Sequence, residues 1–154
     1  MKKLILSFSF VVIMMFSTHL SYSQAGWEVG GRFGELISID ATIPLGISPR
    51  LHPSLYLDYF GFGTYFDWMF ALNDGPAGLK FYPGVGPEFF FEHVFDFNIA
   101  GNFGVEYAFD FPLTVGFDWR PALNLTNDVD FRTGNWGFTA RFRFGEGATF
   151  RRAD

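Results

Sequence analysis

The 154-residue chain predicts an all-β fold, an eight-stranded antiparallel up-and-down transmembrane β-barrel that follows a cleaved signal peptide. Three observations carry that prediction. Residues 95–109 alternate with period two: Phe95, Phe97, Ile99, Phe103, Val105, Tyr107 and Phe109 hold one parity, and Asp96, Asn98, Ala100, Asn102, Gly104, Glu106 and Ala108 the other. Successive strand side chains point to opposite faces, so this is one long strand with an aromatic side and a polar or small side. Seven further segments repeat the pattern between turn signals, which brings the count to an even number. The chain also opens on a basic, then apolar, then small-residue segment, the order of an export signal.

In that first segment Lys2 and Lys3 precede an apolar run over residues 4–16, and Ser21-Tyr22-Ser23 precedes Gln24. Small residues at 21 and 23 suit cleavage after Ser23, with a site one or two residues later as the alternative, which divides the chain into a signal peptide (1–23), a barrel (24–145) and a C-terminal tail (146–154). The apolar run is shorter than the roughly 20 residues a membrane helix needs. There is no cysteine. Neither a disulfide nor a lipidated N-terminal cysteine is therefore available, and an exported chain of this kind takes its stability from backbone pairing and packing. Both lysines leave with the signal, so 11 basic residues fall to nine against 16 acidic ones. That balance argues against nucleic acid as a partner. Twenty-three phenylalanines suit strand faces that meet lipid and its interface better than a soluble core.

The strands follow in order. Trp27, Val29 and Phe33 alternate with Glu28, Gly30 and Arg32; after a Gly34-Glu35 turn, Ile37, Ile39, Ala41 and Ile43 alternate with Ser38, Asp40 and Thr42. The Gly46-Ile47-Ser48-Pro49 turn leads to Leu55, Leu57 and Tyr59 against Ser54, Tyr56 and Asp58, and Gly61 and Gly63 mark a bend before Phe66, Trp68 and Phe70. Asn73-Asp74-Gly75-Pro76 is a turn signal that opens a strand with Leu79, Phe81, Val85, Phe89 and Phe91 on one face. Pro83 and Pro87 lie inside that strand, where each lacks a ladder donor, so a bulge or local distortion is expected there. Beyond the long strand, Asp110-Phe111-Pro112 turns the chain into Leu113, Val115, Phe117 and Trp119. The last strand carries Trp136, Phe138, Ala140, Phe142 and Phe144 against Gly137, Thr139, Arg141 and Arg143. With no helical period in residues 24–145, an antiparallel meander is the economical topology, and a bilayer forces such a sheet to close because it cannot satisfy an open edge.

The polar parity collects Glu28, Arg32, Asp40, Asp58, Asp67, Lys80, Glu88, Glu106, Asp118, Arg120, Arg141 and Arg143. An eight-stranded barrel has an interior that its own side chains fill, and charges buried there must be paired. The set is therefore read as a lumen ion-pair network, with Arg120, Arg141 and Arg143 as its basic centre and Glu106 and Asp118 as nearby acids. A charged conduit for ions or small solutes is the alternative, with Gly30, Gly84, Gly86, Gly104 and Gly116 on the same face leaving room.

Catalytic candidates are few: His52 and His93, with Ser38, Ser48 and Ser54 as possible nucleophiles. Ser38 and His93, with Glu92 adjacent, would lie near the outer rim, but no motif spacing supports a triad. His52, beside Pro53, reads as a surface turn residue. Asn127, Asp128 and Asp130 offer oxygens without the further spaced ligands of a calcium loop, and Asn124-Leu125-Thr126 matches a glycosylation acceptor that occurs often by chance. No catalytic, metal or cofactor site is assigned, and no enzyme activity is expected.

Phe81-Tyr82-Pro83-Gly84-Val85-Gly86, Asn102-Phe103-Gly104-Val105-Glu106-Tyr107, Asp118-Trp119-Arg120-Pro121 and Arg141-Phe142-Arg143-Phe144-Gly145 together resemble the small outer-membrane β-barrel proteins of Gram-negative bacteria, similar in architecture to the OmpA/OmpX type. The resemblance covers most of residues 24–145 and rests on pattern. It implies a location in the cell outer membrane, outer-membrane lipid as surroundings, the barrel-assembly machinery as partner during biogenesis, a monomer, and a structural or surface-interaction role. A narrow channel, a lipid-modifying barrel enzyme and a soluble barrel with an apolar interior are the competing readings. The last requires the opposite polarity, with aromatic residues inward and charges outward.

Overall fold

The computed structural model describes residues 26–145 except 73–75, 77, 92–94 and 127–128. The expected signal peptide, the tail, and Asp74, His93, Glu92, Asn127 and Asp128 lie outside the described residues. Eleven strand segments make up the described fold: β1 (Trp27–Gly34), β2 (Ser38–Pro44), β3 (Pro49–Tyr56), β4 (Gly61–Trp68), β5 (Phe70–Ala71), β6 (Leu79–Phe90), β7 (Asp96–Ala108), β8 (Leu113–Trp119), β9 (Ala122–Asn124), β10 (Asp130–Arg132) and β11 (Trp136–Phe144). Three pairs of segments are single staves with a local break: β4 with β5, β8 with β9, and β10 with β11. Eight staves result. Each pairs antiparallel with its neighbours, and β11 returns to β1 from Trp27↔Phe144 to Gly34↔Gly137, so the sheet closes on itself.

The long alternating strand is β7, 13 residues paired to β6 along all 12 residues of the latter. Prolines decide where the other ladders fail. Pro83 and Pro87 keep their places in the β6–β7 register, while the β4–β6 ladder skips the pairs at Tyr65 and Thr64, and the β4/β5 stave skips Trp68 and Met69. Pro53 does the same to β2–β3, whose pairs at Ala41 and Thr42 are missing while β3–β4 runs unbroken. Each proline lacks one amide donor, so one side of its strand loses hydrogen bonds and the other side does not. The expected bulge at Pro83 and Pro87 is therefore two local gaps without a change of register. A register shift occurs elsewhere: Arg132 faces Ala122 and Trp136 faces Trp119, so the three residues between them on one stave oppose two on the other.

One expected strand is displaced. β3 starts at Pro49, directly after the turn, and ends at Tyr56, while Gly61 and Gly63 lie inside β4. Pro49 and Pro53 disguised the first half of β3 as a turn, although Arg50, His52, Ser54 and Tyr56 already alternate with Leu51, Pro53 and Leu55. The true turn spans residues 57–60, and Asp58 in it accepts a hydrogen bond from the Ile37 amide at 2.6 Å.

Inward glycines mark where neighbours crowd the wall. A Cβ on Gly104 would stand 2.3 Å from the Tyr82 ring, and one on Gly84 would stand 2.0 Å from Asp67 Oδ1. At these two positions a larger side chain from an adjacent stave occupies the place a Cβ would take.

Candidate functional site: a charged barrel interior

Pleating gives every stave one inward and one outward row. On the inward rows stand six buried carboxylates (Glu28, Asp40, Asp67, Glu88, Glu106 and Asp118), five arginines (Arg32, Arg50, Arg120, Arg141 and Arg143) and His52. The outward rows are apolar or glycine and proline apart from Thr64 and the Tyr107 hydroxyl; among the described strand residues no Asp, Glu, Lys, Arg or His has outward parity. Outward aromatics pack on one another, as in the Phe62–Phe89 pair at 4.9 Å and the stacked Trp119–Trp136 pair at 5.3 Å. All four tryptophans occupy the first or last residue of a strand segment.

The interior charges are ordered. Ten side chains form one continuous series in which acid and base alternate: Glu28, Arg141, Glu106, Arg50, Asp67, His52, Asp40, Arg120, Asp118, Arg32. They come from seven of the eight staves. Arg141 donates from Nε to Glu28 at 2.9 Å and from Nη2 to Glu106 at 2.5 Å. Arg50 donates from Nη1 to both Glu106 oxygens, at 2.8 and 3.0 Å, and from Nε to Asp67 at 3.0 Å. At the other end Arg32 Nε lies 2.7 Å from Asp118.

Arg120 is the hub. It sits in the break between β8 and β9, where Pro121 interrupts the stave, and that break carries its side chain across the lumen. Its guanidinium donates to Asp40 at 2.5 Å, Asp118 at 3.3 Å, Ser54 at 3.0 Å, Tyr56 at 3.3 Å and Asn102 at 3.3 Å, and it lies over the Tyr65 ring. Charge-assisted bonds of this kind are roughly twice as strong as neutral ones, and the planar fork of arginine suits several acceptors at once.

The sequence-derived set divides accordingly. Glu28, Arg32, Asp40, Asp67, Glu106, Asp118, Arg120 and Arg141 belong to the ion-pair series. Glu88 is buried but is held by hydroxyls: Tyr56 donates to it at 2.8 Å and Tyr65 donates to the same oxygen. Arg143 lies away from Arg120 and donates to the carbonyls of Phe109 and Phe111, tying down the β7–β8 turn. Lys80 is half-buried across from Glu106 in the β6–β7 register. Asp58 is a correction: it is exposed in the β3–β4 turn because the displaced β3 ends before it.

Two members were missed. Arg50 and His52 were hidden by Pro49 and Pro53, although His52 is fully buried and touches two carboxylates. The expectation of a surface His52 is thereby overturned. Two of the three serine candidates make buried hydrogen bonds: Ser38 donates to Asp40 at 2.6 Å and Ser54 accepts from Arg120.

Fold and site together define a closed eight-stranded antiparallel β-barrel with a cross-braced ionic interior and an apolar outer wall. No family model, no curated protein and no solved structure matches the chain.

Proposed function

We propose that this chain is an integral outer-membrane β-barrel protein, exported by its N-terminal signal peptide, with a structural or surface-interaction role and a lumen filled by its own side chains. The observation that carries the reading is the inverted polarity of the wall: charges inward and an uncharged, aromatic-rich surface outward. Water rewards the reverse arrangement, and hydrocarbon rewards this one. The dimensions agree. The 13 residues of β7 extend about 43 Å at ~3.3 Å per residue, and a tilt of about 40° leaves ~33 Å along the barrel axis, enough to cross an apolar band of about 25 Å.

Side chains braced across the lumen favour a plug over a narrow conduit. Arg120 reaches Asp40 on the far stave β2, and Gly84, Gly104 and Gly137 are overlain by Asp67, Tyr82 and Arg32. The barrel-assembly machinery is the partner in biogenesis on this reading, with a monomer in outer-membrane lipid as the product.

The test is migration of detergent-extracted protein on gels before and after boiling. A folded barrel is expected to shift its apparent size on boiling; recovery in the soluble fraction with no shift would overturn the membrane reading. Planar-bilayer recordings on the same preparation are expected to be silent, and steady unitary currents would replace the plug with a conduit.

A further inference from the structure

We propose that His52 carries a proton on both ring nitrogens and serves as the fifth cation of the interior series. Its Nε2 lies 3.0 Å from Asp40 Oδ2, and its Nδ1 lies 2.9 Å from Asp67 Oδ2. A neutral imidazole offers one donor and one acceptor, so it would aim a lone pair at one of these two carboxylate oxygens. Both carboxylates are already supplied with donors. Asp40 accepts from Arg120 at 2.5 Å and from Ser38 at 2.6 Å, and Asp67 accepts from Arg50 at 3.0 Å and from Asn102 at 2.8 Å. The proton between ring and acid therefore belongs to the ring on each side.

Charge balance leads to the same assignment. The series holds five carboxylates and four guanidiniums, and His52 occupies the one alternate position without an arginine. A neutral ring would leave Asp40 and Asp67 to share Arg120 and Arg50 with the other acids of the series, while a further inward cation, the half-buried Lys80, stands across from Glu106. The groups around the ring come from several staves: Asp40 from β2, Asp67 and Tyr65 from β4, Tyr82 from β6, Asn102 from β7, and Arg120 from the β8–β9 break. Asn102 Nδ2 stands 3.1 Å from Nδ1 and Arg120 Nη2 stands 3.4 Å from Nε2, so a neutral ring accepting from one of these donors is the competing assignment. Either form holds a ring lone pair within 3.0 Å of a carboxylate oxygen.

The position explains what the cation does. The β2–β3 ladder lacks the Thr42–His52 and Ala41–Pro53 pairs, and the imidazolium links β2 to β4 across β3 at that gap. His52 is a positioning residue: it ties two carboxylates together where the backbone does not.

Nitrogen-15 spectra of the detergent-folded protein with labelled histidine, recorded at pH 7, read the assignment directly. Two protonated nitrogens on the ring assigned to His52 are expected; a single protonated nitrogen, on either side of the ring, overturns it. A double-variant cycle gives a second readout. H52Q is expected to lower the urea midpoint, and adding Asp67→Asn is expected to recover more than half of that loss by restoring four acids to four bases. Losses that simply add would contradict a cationic His52.

Discussion

Replacing Arg120 with alanine is expected to destabilise the folded barrel by about 3–5 kcal/mol, the scale for removing one partner of a buried ion pair. The reason is what remains. Asp40 keeps His52 and Ser38, but its 2.5 Å contact to the guanidinium is lost, and Asp118 is left with Arg32 alone. Asn102, Ser54 and Tyr56 lose a donor at the same time, and a buried group without its partner keeps the full cost of its desolvation. Equilibrium urea unfolding in detergent micelles checks this. Arg143→Ala is the comparison variant, because that side chain donates to the carbonyls of Phe109 and Phe111 at one turn. A change below about 1 kcal/mol for Arg120→Ala, against that expected penalty, would mean that the central series is not what holds the staves together.

The second large effect lies on the outer wall. Val85 stands midway along β6, half exposed and outward, with Gly101 and Phe66 as its cross-strand partners. Val85→Arg is expected to cost about 2–4 kcal/mol when the protein folds into phospholipid vesicles, the scale for a cation at the midplane on the lipid face. In a barrel surrounded by water the same exchange would be close to neutral, since exposed surface substitutions usually change stability by less than about 0.5 kcal/mol. Folding titrations in vesicles separate the two cases. Wild-type stability for the arginine variant in vesicles would contradict the assignment of this wall to hydrocarbon.

Much of this architecture is legible in the chain because the strand period is two and each face has one kind of neighbour. The alternation over residues 95–109 becomes β7 (Asp96–Ala108) with its faces as read, and Trp136 to Phe144 becomes β11 with the same parity. Prolines were the obstacle. Pro49 and Pro53 look like turn residues in a linear reading, yet in a closed sheet each costs one side of a ladder and the strand continues. That error hid Arg50 and His52 and placed Asp58 inside.

Pairing inside the lumen was legible only between close staves, as in Arg120–Asp118 and Arg141–Glu106, and the longer reaches were not, for a different reason. Parity identifies which side chains point inward, but which of them meet depends on the stagger of staves around the ring. Arg120 and Asp40 are 80 residues apart, and Arg141 and Glu28 are 113 apart. Their contact is a property of closure. Gly104 and Gly84 teach the same lesson: a missing side chain suggested space, and the neighbouring Tyr82 and Asp67 lie over those two positions.

The central claim is that the aromatic wall faces hydrocarbon while the charges face inward, and the four tryptophans report on it directly. Trp27, Trp68, Trp119 and Trp136 all stand on the outward rows. Their fluorescence in vesicles containing lipids brominated along the acyl chain is expected to be strongly quenched, with little response to aqueous iodide. Strong iodide quenching with no effect of the brominated lipids would contradict the account.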